Sequence, residues 1–171
     1  MVMEIAEQIF LVLAYVAAIG FLVHGLDDGM PPKVNAELAP QIFHKLHEAI
    51  CQGLIRSCHD LSEGGLAVAM AEMCLAGGWG ATIDLSFVSD SSLGDLDREV
   101  ALFAESNTRF LIEVQQENET EVTRLLSNSY KLIGAVTEDP YLRVTSGKEK
   151  ELAISVSIAD LKEAWQKPLR W

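Results

Sequence analysis

The most constraining stretch of this chain is "SCHDLSEGGLAVAMAEMCLAGGWGATIDLSF", Ser57–Phe87. It sets an apolar, alanine-rich run between two glycine clusters. The run has helical spacing, with Leu66, Met70, Met73 and Cys74 on its inner face. "AGGWG" ends such a helix through glycine, which takes up left-handed backbone at little steric cost. "ATIDLSF", residues 81–87, then alternates as a half-buried strand does. The polar residues in front of Gly64 and Gly65 are expected to form a short loop. Ser62 is placed there to cap the helix, with Asp60 and Glu63 at the positive end of its dipole.

The flanking sequence fits a layered domain. "DDGMPPK", residues 27–33, is a turn-rich linker. Asn35 is placed to cap a helix whose apolar positions Leu38, Ile42, Leu46, Ala49, Ile50 and Leu54 continue to about Arg56, with Pro40 near its start. A short helix carries Val100, Leu102 and Phe103. Strands are expected at 109–114, 131–138, 141–146 and 151–157, and helices at 117–129 and 158–166. Helices and strands mix without regular βαβ repetition. The expected fold class is therefore α+β, a layered sandwich with a mixed sheet.

Of the 171 residues, 22% are charged and 49% hydrophobic, with a formal net charge of −12. An acidic surface without a basic stripe excludes a phosphate-backbone binder, so no nucleic-acid partner is expected. The three cysteines, Cys51, Cys58 and Cys74, form no CxxC pair and suit a reducing, cytoplasmic setting. Residues 8–26 contain no Asp, Glu, Lys or Arg. Glu4 and Glu7 precede the run, and Gly20, His24 and Gly25 interrupt it. It therefore reads as a buried or partner-covered element, residues 1–26, preceding a domain at 27–171, with no membrane role expected. Such a start is expected of a piece of something longer. An isolated chain with this apolar surface is expected to form a homodimer.

Several constellations resemble sites. His44, His47 and Cys51 share a helix face, with Cys58 and His59 close in sequence, but their spacing matches no zinc signature, so no metal site is expected. Neither glycine cluster follows a phosphate-loop pattern. "CHDLS" holds Ser, His and Asp, but a nucleophilic triad assembles from separated segments around an oxyanion hole. No catalytic residue is expected on this ground. What the glycines do permit is close approach of another backbone or a ligand.

Together these segments resemble phosphoribosylformylglycinamidine synthase subunit II of the small, multi-subunit type, in the aminoimidazole ribonucleotide synthetase superfamily. The similarity is carried by "FLVHGLDDGMPPKVN" (21–35), "RSCHDLSEGGLAVAMAEMCLAGGWGATIDL" (56–85), "LFAESNTRFLIEV" (102–114), "LIGAVTED" (132–139) and "LKEAWQKPLRW" (161–171). Residues 1–20 fit the pattern less well. The resemblance implies a C-type α/β domain, the last quarter of a full enzyme built from paired N-type and C-type domains. It implies an ATP-dependent ligase of purine biosynthesis that converts formylglycinamide ribonucleotide to its amidine with glutamine-derived ammonia. ATP and magnesium would be held by N-type domains, with none tightly bound here. The partners implied are those N-type domains, a glutaminase subunit and a small accessory subunit. The residues implied for the substrate and nucleotide cleft are His59, Asp60, Ser62, Glu63, Gly64, Gly65, Glu105, Ser106 and Asn107. Where the first C-type copy tends to have Gln and Glu, this chain has Asn107 and Thr108. A non-catalytic interaction module, using the apolar N-terminus and the acidic surface, is the alternative.

Overall fold

The structure is a computed structural model that describes residues 33–88, 98–146 and 149–169. Contacts divide the chain into residues 1–33 and 34–171, and the description below concerns the second unit. The apolar run at 8–26 lies outside the described residues.

Helix α1, Leu38–Cys51, starts as its sequence dictates. Asn35 Oδ1 accepts from the N–H groups of Glu37 (3.1 Å) and Leu38 (3.0 Å). The helix ends at Cys51, before the expected Arg56. Gly53 takes φ 70° and its N–H donates to Ile50, while Leu54 N–H reaches Ala49. The residues that follow, Ile55–Asp60, are strand β1 and not a loop. Strand β1 pairs antiparallel with β3, Phe110–Val114, as a sheet of two.

Helix α2, Gly65–Gly77, follows β1 and buries Leu66, Ala67, Ala69, Met70 and Cys74. Gly78 caps its end at φ 72°, as expected of the glycine cluster. Its start departs from expectation. Ser62 does not cap it: its hydroxyl donates to Asp60 Oδ2 at 2.7 Å. Glu63, Gly64 and Gly65 are all left-handed, with φ 45°, 102° and 65°, so the chain enters α2 through a left-handed turn and Ser62 is left outside. Asn35→Ala is therefore expected to cost about 0.5–2 kcal/mol. Ser62→Ala should stay within about 0.5 kcal/mol. Urea midpoints of the two variants check the contrast.

The second sheet runs in the order β4-β2-β5-β6. Its strands are β2, Gly80–Asp84; β4, Gly134–Thr137; β5, Tyr141–Ser146; and β6, Glu151–Ser157. Strands β2 and β5 are parallel and the other pairs antiparallel, so the sheet is mixed. Strand β2 is shorter than its alternation suggests, because Asp84 takes the Ser86 N–H (2.9 Å) and turns Leu85–Phe87 into a 3-10 turn. Strand β4 likewise occupies only part of the expected 131–138.

Three helices remain: α3, Arg98–Phe103; α4, Glu119–Leu126, inside the expected 117–129; and α5, Ile158–Gln166. Ser157 caps α5, accepting from Asp160 N–H at 3.0 Å. Helices α1 and α4 pack together, and Phe43 of α1 meets Phe110 of β3 edge to face at 5.9 Å. Helix α2 touches β1 and β3 on one side and β5 on the other. One apolar cluster runs through it from Leu61 and Leu102 to Ile83, Leu142, Val144 and Ile158. The expected layered α+β sandwich with a mixed sheet is what forms, with the two-stranded sheet between α1 and α2.

Candidate functional site

Strand β1 delivers the polar cluster to one end of α2. Its alternation separates neighbours: His59, facing Leu111 across the ladder, lies on the α2 side, and Asp60, facing Phe110, on the other. His59 Nε2 lies 2.8 Å from Glu72 Oε2 on α2, and Nδ1 lies 2.6 Å from the Asp60 carbonyl oxygen. Both ring nitrogens thus meet acceptors, an arrangement only the doubly protonated ring satisfies in full. The pKa of His59 is raised accordingly, first by the Asp60 carbonyl and then by Glu72. The neighbouring Asp60 carboxyl is lowered, chiefly by the Ser62 hydroxyl. Serine, aspartate and histidine therefore form no nucleophilic relay, since Ser62 is spent on Asp60 and His59 on Glu72.

The raised histidine has a consequence for stability. A group whose folded pKa exceeds its unfolded value stabilises the fold below the unfolded value of about 6.5. That contribution disappears as pH rises through the raised folded value. The His59 side chain is 29% exposed and that of Glu72 42%. Solvent therefore keeps the effect small. Stability is expected to decline modestly as pH rises above about 6.5. His59→Gln should remove that part of the slope, measured as the pH dependence of the urea midpoint.

The second half of the site arrives from α3. Glu105 Oε1 accepts the Gly64 N–H at 2.7 Å, across 41 residues of sequence. Gly65 presses on the same turn: a Cβ there would lie 2.8 Å from the Phe103 carbonyl carbon and 2.9 Å from the Leu102 oxygen. Leu61 N–H reaches the Arg109 carbonyl at 3.1 Å, closing the other side. Thr108, between Glu105 and β3, has φ 64°. Left-handed backbone at non-glycine residues is costly and concentrates at ligand sites. Here Glu63 and Thr108 place two such residues on the paired segments.

The structure therefore gathers the loop residues and Glu105. It holds Glu63 through backbone conformation, and places half-buried Ser106 and exposed Asn107 on the turn before β3. One residue was read only as a strand entry and not as part of the site. Arg109 is half-buried, burial alone lowers its pKa, and its guanidinium has no partner among the described residues. Its signal was its place two residues beyond Asn107.

The donor set does not suit a metal ion. Asp60, Glu72 and Glu105 are each committed to a donor, and among the described residues no three His, Cys, Asp or Glu converge. Cys51 Sγ lies 3.5 Å from His47 Nε2 without a third ligand. No helix among the described residues is long and apolar enough to cross a membrane.

The family described as AIR synthase related protein, C-terminal domain, matches residues 13–147. The chain belongs to this family. A phosphoribosylformylglycinamidine synthase subunit PurL from Thermosynechococcus vestitus is 39% identical over 153 residues, 86% of this chain and 19% of the relative. One from Prochlorococcus marinus is 35% identical over 153 residues, 84% and 18% respectively. The chain thus spans about a fifth of the length of these relatives. Among solved structures, phosphoribosylformylglycinamidine synthase II from Thermotoga maritima superposes with a TM-score of 0.66 at 20% identity, covering 76% of this chain and 22% of that one. Other structures of T. maritima PurL are described as complexes with ATP and with FGAR, and one as PurLQS. At this identity they establish the fold alone.

Proposed function

We propose that this chain is the closing C-type domain of a phosphoribosylformylglycinamidine synthase and forms one wall of a ligand cleft. The whole enzyme would use ATP to activate the formamide oxygen of formylglycinamide ribonucleotide, and ammonia would displace phosphate. Preceding N-type domains would contribute ATP and magnesium binding, and a glutaminase subunit with a small accessory subunit would supply ammonia, in the cytoplasm. The observation that carries this reading is the 2.7 Å bond from Gly64 N–H to Glu105. It ties two of the segments that carry the family resemblance into one surface with left-handed residues on both sides. In that surface His59, Asp60, Ser62, Glu63, Gly64 and Gly65 shape the loop. Glu105, Ser106 and Asn107 form the facing turn, and Arg109 is the charge a phosphate or carboxylate of the ligand would satisfy. No residue of this wall performs the chemical step, since reaction needs substrate and nucleotide oriented together and one wall cannot do that.

The purified chain is expected to form no amidine. Fused to the upstream domains of a relative it should restore turnover, and Arg109→Ala in that fusion should raise KM roughly tenfold or more, as loss of a charged hydrogen bond does. Amidine formation by the chain alone would refute the reading, as would a fusion indifferent to both Arg109→Ala and Glu105→Ala.

A further inference from the structure

Helix α1 carries a sulfur and an imidazole nitrogen at the spacing of two metal ligands. His47 and Cys51 stand four residues apart, about one helical turn, so they share a face. Both are exposed. Cys51 Sγ lies 3.5 Å from His47 Nε2. Zinc binds thiolate at about 2.3 Å and imidazole at about 2.0–2.1 Å with tetrahedral angles, which sets the two ligand atoms about 3.5–3.6 Å apart. The pair therefore already has the bite of a tetrahedral divalent ion. The helix holds that bite in place, since its other face is anchored by buried Leu46 and Ala49 and packs on α4.

The surrounding charge favours a cation. Cys51 is the last residue of α1, at the negative end of the helix dipole, and no basic residue stands in the last turn. Glu48 adds a negative charge between the two ligands, with its Oε1 held by Gln52 Nε2 at 3.0 Å. The whole chain carries a net −12. The other exposed thiol has none of this. Cys58 adjoins His59, but successive strand residues point to opposite faces, and both nitrogens of His59 are engaged. Burial of the thiol and then the Asp60 carboxylate push Cys58 up, so it keeps its proton.

We propose that His47 and Cys51 form a two-point clip for a thiophilic divalent cation of the zinc and cadmium class, with water in the remaining positions. Binding takes the proton from the Cys51 thiol, forms one metal–sulfur and one metal–nitrogen bond, and displaces water from the hydrated ion. Affinity therefore rises with pH. Two protein ligands are half of a structural zinc set, so the clip exchanges its ion and the fold does not depend on it.

The test uses the full chain, reduced and then freed of reductant, with cadmium chloride as the probe. Calorimetry should find a single equivalent bound with a Kd of roughly 1–100 µM. A thiolate-to-cadmium charge-transfer band should rise in the ultraviolet, and zinc should displace the cadmium. Cys51→Ser should remove the band and weaken binding roughly tenfold or more. His47→Gln keeps the thiol and should weaken binding by a similar factor, which a thiol acting alone would not show. Cys58→Ser should change neither reading. These exposed positions should leave the melting temperature in place. Binding that survives Cys51→Ser, or that is indifferent to His47→Gln, would overturn the proposal. So would a band that disappears with Cys58→Ser, a Kd insensitive to pH, or no binding below millimolar cadmium. Binding lost in His44→Gln and kept in Cys51→Ser would likewise overturn it, by assigning the ion to two histidines on adjacent turns.

Discussion

Gly65→Ala is expected to destabilise the domain by about 2–5 kcal/mol, and Gly78→Ala by only about 1–2 kcal/mol. Both glycines are left-handed, at φ 65° and 72°. Both substitutions therefore meet the same penalty between Cβ and backbone. They differ in surroundings. A Cβ at 78 meets nothing within 4 Å. At 65 it meets Phe103, Leu102 and Ala104, all at 3.0 Å or less and all backbone atoms. A side chain could rotate away, but the end of α3 can move only by pulling Glu105 off Gly64. The larger penalty therefore falls where the site is assembled. Thermal and urea unfolding of the two variants read the difference directly. Equal costs would mean that α3 shifts freely and that the contact between loop and turn is not rigid.

What the sequence disclosed followed from local chemistry. Asn35 sits within one turn of the helix it caps, and α5 occupies its expected span because its periodicity agrees with the cap that the structure places at Ser157. The glycines after α2 act within a single turn. What stayed hidden depends on partners far along the chain. Strand β1 reads as polar because His59 meets Glu72 and Ser57 donates to Glu113 at 2.9 Å, so its inner face never shows the apolar alternation of a strand. The displaced start of α2 has a similar cause. Ser62 matched a cap on sequence grounds, but Glu105, 41 residues from Gly64, holds the loop in a left-handed path that no local pattern announces. Arg109 read only as the entry to a strand, because what distinguishes it is burial without a partner among the described residues. The site was therefore legible as a set of segments, through family resemblance, and not as a geometry.

Met70→Ala should cost about 2–5 kcal/mol, while Met70→Leu, which nearly conserves volume, should cost less than about 1.5 kcal/mol. Met70 is 2% exposed at the middle of α2, a helix apolar on nearly all sides. A helix of that kind is stable only when enclosed, and α2 is enclosed by both sheets. Deleting its central side chain opens a cavity whose walls belong to different layers, so neither sheet can collapse to refill it alone. The two sheets share no strand, and α2 with its apolar cluster is their principal common element. They should therefore lose structure together: far-ultraviolet dichroism and tryptophan fluorescence, with Trp79 beside β2, should give one coincident urea transition in the parent and in Met70→Ala. Amide exchange in β3 should accelerate in Met70→Ala by the same free energy as in β5. Protection lost in β5 but kept in β3 would show that β1 and β3 are held by α1 and α4 alone, and that the loop before α2 is anchored independently of the larger sheet.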